Sequence, residues 1–258
     1  MNTPTFYNDL NFLDHPSARA LRILSEYMGP KQRLEQFNIH HTIVFFGSAR
    51  ITSPEDFEKG VGGKNFLSAK EAKRAVVYYE KARELAKKIT TWTLKIPENT
   101  RPYLITGGGP GIMEAGNRGT KEAGGVSVGM TISLPNEQGI NTYCTPEASM
   151  QFHYFFMRKL WLLFHTRAFV AFPGGIGTLD ELFEILTLIQ TKKVARFPII
   201  LFGSDFWKPL INFEQLLDWG LISSEDLDLF KVFDDVDEAS QYLQNILTPE
   251  YLASSYNC

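Results

Sequence analysis

The sequence has little of what would place it among secreted or membrane proteins. Its 258 residues include two cysteines, Cys144 and Cys258, too few for a disulfide framework. Residues 1–11 show no basic region followed by an apolar stretch, so no signal peptide is expected. No apolar run approaches the roughly 18 residues that a membrane span needs. We therefore expect a cytoplasmic protein that does not associate with membranes.

The sequence also lacks the marks of nucleic-acid and metal chemistry. A formal net charge of −3 gives no basic surplus for a nucleic acid, so no such partner is expected. The histidines show no H-E-x-x-H spacing and no serine lies in a G-x-S-x-G motif, so neither a metal site nor a serine nucleophile is predicted.

Alternating apolar runs and helical periodicities indicate the fold. Strands are predicted at residues 42–46, 103–106, 126–132, 168–172, 197–202 and, at one edge, 231–233. Helices are predicted at residues 67–89, 151–165, 182–190, 205–219 and 238–247. This alternation is typical of an α/β protein with a Rossmann-like, doubly wound parallel sheet flanked by helices, with ligands at the carboxyl ends of the strands.

Residues 1–40 are predicted to be an N-terminal helical appendage, and residues 41–258 a Rossmann-like catalytic domain. Within the appendage, apolar spacing predicts a helix at residues 17–37 that is broken at Gly29 and Pro30. A helical cover for one edge of the core is favoured over a separate function. Residues 51–66 carry little periodicity and predict a long loop, which is usually functional or mobile.

The most informative stretch is P-G-G-I-G-T-L-D-E at residues 173–181. It follows a buried strand and leads into a helix, where free N–H groups and the helix dipole favour a phosphate. Glycines let the backbone approach that anion closely. Thr178 and Glu181 also have the spacing of a capping box, so a purely structural turn is an open alternative.

Two further turns support a phosphate site. Gly47 and Ser48 follow the first strand, where nucleotides commonly lie in this fold. Arg50, two residues on, fits either a phosphate contact or a solvated loop charge. A second glycine-rich stretch at residues 107–119 ends another strand, and its Glu114 suits either the helix dipole or a ribose hydroxyl.

The helix predicted at residues 151–165 has apolar residues around its axis and should be buried on most sides. Arg158 and Lys159 lie in its middle. Burying an unpaired charge is costly, so these cations need a partner or a ligand unless they extend to solvent along a narrow polar strip.

These motifs resemble the LONELY GUY (LOG) family, many of whose members were labelled lysine decarboxylases. Residues 173–181 are similar to its P-G-G-x-G-T-x-x-E signature, residues 157–159 to its M-R-K segment, and residues 107–114 to its first phosphate loop. The resemblance implies hydrolysis of a nucleoside 5′-monophosphate, such as AMP or a cytokinin ribotide, to a free base and ribose 5-phosphate. It also implies a homo-oligomer, at least a dimer.

The resemblance implies that Arg158 and Glu181 are the catalytic pair. A carboxylate can stabilise an oxocarbenium-like state and deprotonate water, and an arginine can hold that carboxylate in place. The residues assigned to the nucleotide site, from the motifs and the turns, are Gly47, Ser48, Gly107, Gly108, Gly109, Gly111, Met113, Glu114, Met157, Lys159, Gly174, Gly175, Gly177 and Thr178.

Two other functions compete with hydrolysis. The first is a non-catalytic nucleotide-binding or cofactor-carrier protein, since a fold does not fix a function. The second is a lysine decarboxylase, which would need pyridoxal phosphate on a Schiff-base lysine. No lysine here lies in a context that suggests one, so we expect no cofactor. The sequence does not identify the base.

Overall fold

Seven parallel strands form one sheet in the part of the chain that the computed structural model describes, residues 4–60, 68–133 and 139–253. The strands are β1 His41–Phe46, β2 Pro102–Thr106, β3 Val128–Ile132, β4 Met150–Phe152, β5 Thr166–Ala171, β6 Ile199–Phe202 and β7 Lys231–Phe233. They pair in the order β4-β3-β2-β1-β5-β6-β7. Every pairing is parallel.

The direction in which the sheet grows reverses beside β1. The chain runs outward from β1 through β2 and β3 to β4, returns to β5 on the other side of β1, and continues to β7. In doubly wound sheets a ligand crevice lies beyond the carboxyl ends of the two strands at this switch point. The predicted fold class is confirmed, and the crevice lies between the segments that follow Phe46 and Ala171.

Helices pack on both faces of the sheet. They are α1 Leu10–Asp14, α2 Arg19–Gln36, α3 Pro54–Glu58, α4 Ala69–Thr93, α5 Ile112–Glu122, α6 Phe155–Phe164, α7 Ile176–Gln190, α8 Ser204–Leu210, α9 Phe213–Asp218, α10 Val236–Ile246 and α11 Pro249–Ala253. Every residue of β1 and β5 is buried, which explains their continuous apolar runs. None of the described helices is long and apolar enough to cross a membrane.

The prediction that the N-terminal helix breaks at Gly29 and Pro30 is wrong, because α2 runs through both residues. A proline has no N–H, so the carbonyl of Glu26, one turn earlier, loses its helical donor. Trp161 of α6 replaces it: its Nε1–H donates to the Glu26 carbonyl oxygen at 3.0 Å. A tertiary hydrogen bond therefore satisfies the group that Pro30 leaves open.

Helix α2 also holds the start of α6. The Glu26 carboxylate accepts hydrogen bonds from the backbone N–H groups of His153, at 2.7 Å, and Tyr154, at 3.1 Å. A carboxylate at this position satisfies free N–H groups and favours the helix dipole. Leu34 of α2 is fully buried in the main core. The N-terminal segment thus covers the core, as favoured, while the domain boundary near residue 40 stays a prediction.

The helix predicted at residues 151–165 is shorter and more exposed than expected. It begins at Phe155, because residues 150–152 pair with β3 and form the edge strand β4, which the sequence analysis missed. Three residues are too few to show a strand periodicity. Burial on most sides is also wrong, since four large apolar side chains of α6 are substantially exposed: Phe155, Phe156, Leu160 and Phe164.

Two other predictions need correction. The helix predicted at residues 205–219 is divided into α8 and α9 at Ile211, since Asn212 caps a new helix by accepting a hydrogen bond from the Gln215 N–H. The predicted loop at residues 51–66 contains the short helix α3, which Ser53 caps. The last six residues of that predicted loop, 61–66, lie outside the described residues, as does Cys258.

Candidate active site

Three segments meet at the carboxyl edge of the sheet, and backbone hydrogen bonds join them. After β1, the Ser48 N–H donates to the Pro173 carbonyl, which follows β5, at 3.0 Å. The N–H of Ile112, at the start of α5, donates to the Ser48 carbonyl at 3.1 Å. Ser48 is therefore the link that holds the three predicted loops together.

Two glycines make this close approach possible. A Cβ on Gly111 would lie 2.2 Å from the Ser48 carbonyl oxygen, and its φ of +74° is in the left-handed region that favours glycine. A Cβ on Gly47 would lie 2.5 Å from a side-chain carbon of Ile112. Any larger residue would separate the segments that follow β1 and β2.

The loop after β5 is not a capping box. The cap of α7 is Gly175, which has no side chain to accept a hydrogen bond, and Thr178 lies inside the helix. Glu181 is also inside α7, so it does not reach back to the start of the helix. No side chain among the described residues caps α7, and the Thr178 N–H donates to the Gly175 carbonyl at 3.0 Å. The N–H groups that precede it in the helix, those of Ile176 and Gly177, are placed to meet an anion.

A cavity of about 530 Å³ lies over this helix start. Predicted site residues contribute to its wall: Gly47, Ser48, Met113, Arg158, Gly175, Gly177 and Thr178. Phe155 and Ile176 also line it. The volume is in the range of small-molecule sites, and the exposed ring of Phe155 gives the cavity an aromatic wall.

Arg158 and Glu181 form a buried ion pair in this region. Arg158 Nη2 lies 3.1 Å from Glu181 Oε1, and the exposed fractions of the two side chains are 12% and 1%. Burial raises the pKa of Glu181 to about 7, although the nearby cations Arg158 and Lys159 act in the opposite direction. The second carboxylate oxygen, Oε2, has no hydrogen-bond partner among the described residues.

The first glycine-rich loop lies against the same pair. A Cβ on Gly107 would lie 3.8 Å from Arg158 Nη1 and 2.7 Å from Met113 Sδ. Gly109 packs in the same way against the end of Met113. The structure therefore brings this loop, Met113 and Arg158 together, and their assignment to the nucleotide site stays a prediction.

Other predicted site residues lie away from the cavity wall. Lys159 Nζ pairs with Asp180 Oδ2 at 2.9 Å and Glu184 Oε2 at 2.7 Å, on the outer side of α7. Met157 is buried in the main core. Glu114 accepts a hydrogen bond from the Tyr79 hydroxyl at 2.7 Å. Their assignment to the nucleotide site stays a prediction.

A buried polar network that the sequence analysis missed supports the first glycine-rich loop. The Asn141 amide donates to the carbonyl oxygens of Gly108, at 3.1 Å, and Gly109, at 3.0 Å. It also donates to the side chain of Asn117, which is fully buried. Asparagines are common in turns, and the two are 24 residues apart, so no pattern in the sequence indicates their contact.

The described residues do not fit the Schiff-base chemistry of a pyridoxal phosphate enzyme. Such an enzyme needs a lysine at its cavity. No lysine is among the described residues that line this cavity, and Lys159, next to Arg158, is held by two carboxylates. The described residues also contain no group of three or more His, Cys, Asp or Glu side chains that could hold a metal ion.

Comparisons with known proteins give relatives over much of the chain. It is 28% identical over 184 residues to the cytokinin riboside 5′-monophosphate phosphoribohydrolase LOG5 of Arabidopsis thaliana, covering 69% of this chain and 75% of that protein. It is 30% identical over 126 residues to LOG4 of the same plant, covering 47% of this chain and 57% of that protein. The match to the LOG4 protein thus spans little more than half of it.

A search of solved structures finds the molybdenum cofactor carrier protein of Chlamydomonas reinhardtii, which is 21% identical with a TM-score of 0.48. That match covers 80% of this chain and 97% of the other. The molybdenum cofactor binding protein of Rippkaea orientalis is 16% identical with a TM-score of 0.46, covering 81% and 98%. Neither similarity bears on activity.

A family model described as "Possible lysine decarboxylase" matches residues 113–243, just over half of the chain. This range contains the M-R-K segment and the whole P-G-G-x-G-T-x-x-E motif, on which the resemblance to the LONELY GUY family rests. The chain therefore belongs to the LONELY GUY family, the family of that model.

Proposed function

We propose that the protein hydrolyses the N-glycosidic bond of a nucleoside 5′-monophosphate, AMP or a cytokinin ribotide, to a free base and ribose 5-phosphate. The observation that carries the proposal is the buried Arg158–Glu181 pair, whose arginine lines the cavity over the N-terminus of α7 while the carboxylate lies behind it. The names of the Arabidopsis relatives support the same reaction.

In this proposal the backbone of residues 175–178 binds the 5′-phosphate, where the helix dipole and N–H groups favour negative charge. The ribose then lies toward Arg158 and Glu181. Phe155 and Met113 supply apolar surface for the base, which is a planar group that stacks on such walls.

Glu181 acts on water. Oε1 is bound by Arg158, and Oε2, which is buried and has no hydrogen-bond partner among the described residues, accepts the proton of a water molecule that enters from the cavity. The water oxygen forms a bond to C1′ as the C1′–N bond breaks, and the negative carboxylate stabilises the oxocarbenium-like state. Glu181 removes one proton from water, and the nitrogen of the leaving base takes up one proton. The carboxyl group therefore returns to its starting charge after each reaction.

The direct test is incubation of the purified protein with AMP and with isopentenyl-AMP, GMP, IMP and CMP, followed by chromatography for free bases. Release of a base together with ribose 5-phosphate supports the proposal, and comparison of the five rates names the preferred base. Nucleotide binding without any base release would contradict it and favour a carrier.

We also propose that the protein is a homo-oligomer. The exposed apolar side chains of α6, among them Phe155, Phe156 and Leu160, form a surface that a second copy can cover, and Phe155 also lines the cavity. Light scattering after size-exclusion chromatography should give at least a dimer, and Phe156→Ser should shift the mass toward the monomer. A monomeric wild-type protein would contradict this proposal.

A further inference from the structure

A second cavity, of about 420 Å³, lies on the other side of the same loops. One wall is formed by the segments after β1 and β5, and the others by α4 and α8. Ser48, Arg50 and Gly175 line both this cavity and the first. The two cavities therefore meet at the backbone on which we placed the 5′-phosphate.

The far walls of the second cavity are held in place by a hydrogen-bonded group. Arg74 Nε of α4 donates to Asp205 Oδ2 of α8 at 2.6 Å, and the Tyr78 hydroxyl donates to the other oxygen of Asp205. The ring of Tyr78 is buried, and Ala75 completes an apolar floor beside it. These contacts fix α4 against α8, so the cavity is formed before a ligand enters it.

Arg50 lies at the boundary between the cavities, since it lines both of them. Its side chain is exposed and makes no hydrogen bond or ion pair within residues 4–60, 68–133 and 139–253. A guanidinium binds phosphate oxygens well, often through two hydrogen bonds. A second phosphate, attached to the first, would lie beside it.

Beyond Arg50, the second cavity contains one more cation, Arg74, which is paired with Asp205, and two carboxylates. Glu71 of α4 and Asp205 of α8 place carboxylates in the second cavity. Carboxylates repel phosphate but accept hydrogen bonds from hydroxyl groups. The second cavity thus offers a cation next to the phosphate site and hydroxyl acceptors farther away.

We propose that the site binds nucleoside 5′-diphosphate sugars, with the nucleoside in the first cavity, the second phosphate at Arg50 and the sugar in the second cavity against Glu71 and Asp205. This placement rests on the proposed function for the position of the 5′-phosphate. A nucleoside monophosphate leaves the second cavity empty, whereas a nucleoside diphosphate sugar has a nucleoside for the first cavity and a sugar for the second.

The test is isothermal titration calorimetry with AMP, ADP and ADP-glucose. ADP-glucose should bind wild-type protein about tenfold more tightly than AMP. Ala75→Phe fills the second cavity without touching the first, so it should remove that advantage and leave AMP affinity within about twofold. Val77→Phe, at an exposed position of the same helix, is the matched control and should change neither affinity.

Glu71→Ala gives an independent test at an exposed position. It should weaken ADP-glucose binding several-fold and leave ADP binding unchanged, because only the sugar contacts Glu71. Equal affinities of wild type for AMP and ADP-glucose, or insensitivity of ADP-glucose to both variants, would overturn the inference.

The assay for base release from AMP, run beside the titrations, separates this inference from the proposed function. Adenine release without an ADP-glucose preference overturns the inference alone. An ADP-glucose preference that Ala75→Phe removes, without release of a base from any of the five nucleotides named above, supports the inference and overturns the hydrolase.

Discussion

Arg158 Nη2 and Glu181 Oε1 lie 3.1 Å apart, although 23 residues separate them in the sequence. The first is on α6 and the second on α7, and β5 connects the two helices. The pair joins the M-R-K segment to the P-G-G-x-G-T-x-x-E motif, and its arginine lines the cavity. One carboxylate oxygen is bound by the arginine, and the other is buried with no hydrogen-bond partner among the described residues.

Activity should depend on the ionisation of Glu181. Burial raises the pKa of this carboxyl to about 7, so it is protonated and inactive as a base at lower pH. We expect kcat/KM for base release to fall about tenfold per unit below pH 7 and to level off above it. Rates measured from pH 5.5 to 8.5 test this, and a flat profile would contradict the assigned role.

Substitution of Arg158 should lower kcat/KM far more than substitution of Lys159. Arg158→Gln leaves Glu181 buried without its partner, so we expect a loss of about a hundredfold in kcat/KM and a pH profile shifted upward. Lys159→Gln breaks contacts with Asp180 and Glu184 outside the cavity and should cost less than about threefold. Steady-state kinetics of both variants decide this. If Lys159→Gln is as damaging, the lysine belongs to the site, as the family resemblance implied.

Trp161→Phe should destabilise the fold through α2. It removes the donor to the Glu26 carbonyl that Pro30 leaves without a helical partner, so the free energy of unfolding should fall by about 1–3 kcal/mol. In a Pro30→Ala variant, the backbone N–H of residue 30 can donate to the Glu26 carbonyl. Trp161→Phe should therefore lower the free energy of unfolding less in the Pro30→Ala variant than in wild type. Urea denaturation of the single and double variants measures the coupling, and strictly additive effects would contradict this account.

The sequence was sufficient for the fold and for the central motifs because these depend on local patterns. Buried strands such as β1 and β5 appear as apolar runs, and the glycine-rich turns follow strand ends in the sequence itself. Once the strands are parallel, these turns must lie at one edge of the sheet. The contact between the segments that contain Gly47, Gly111 and Gly175 follows from that topology.

What the sequence did not show depends on contacts between distant residues. The continuity of α2 through Pro30 requires Trp161, more than a hundred residues away. The separation of Arg158 from Lys159 depends on which carboxylates of α7 face each of them. The network of Asn117 and Asn141 likewise has no periodic signal. Tertiary hydrogen bonds decided each of these features.

The measurement that tests the central claim most directly is the rate of adenine release from AMP by Glu181→Gln beside wild type. Glu184→Gln is the matched control, because Glu184 lies on the same helix and pairs with Lys159 instead of Arg158. We predict that Glu181→Gln loses at least about a hundredfold in kcat and keeps AMP affinity within about threefold, while Glu184→Gln retains near-normal turnover. Near-normal adenine release by Glu181→Gln would contradict the account.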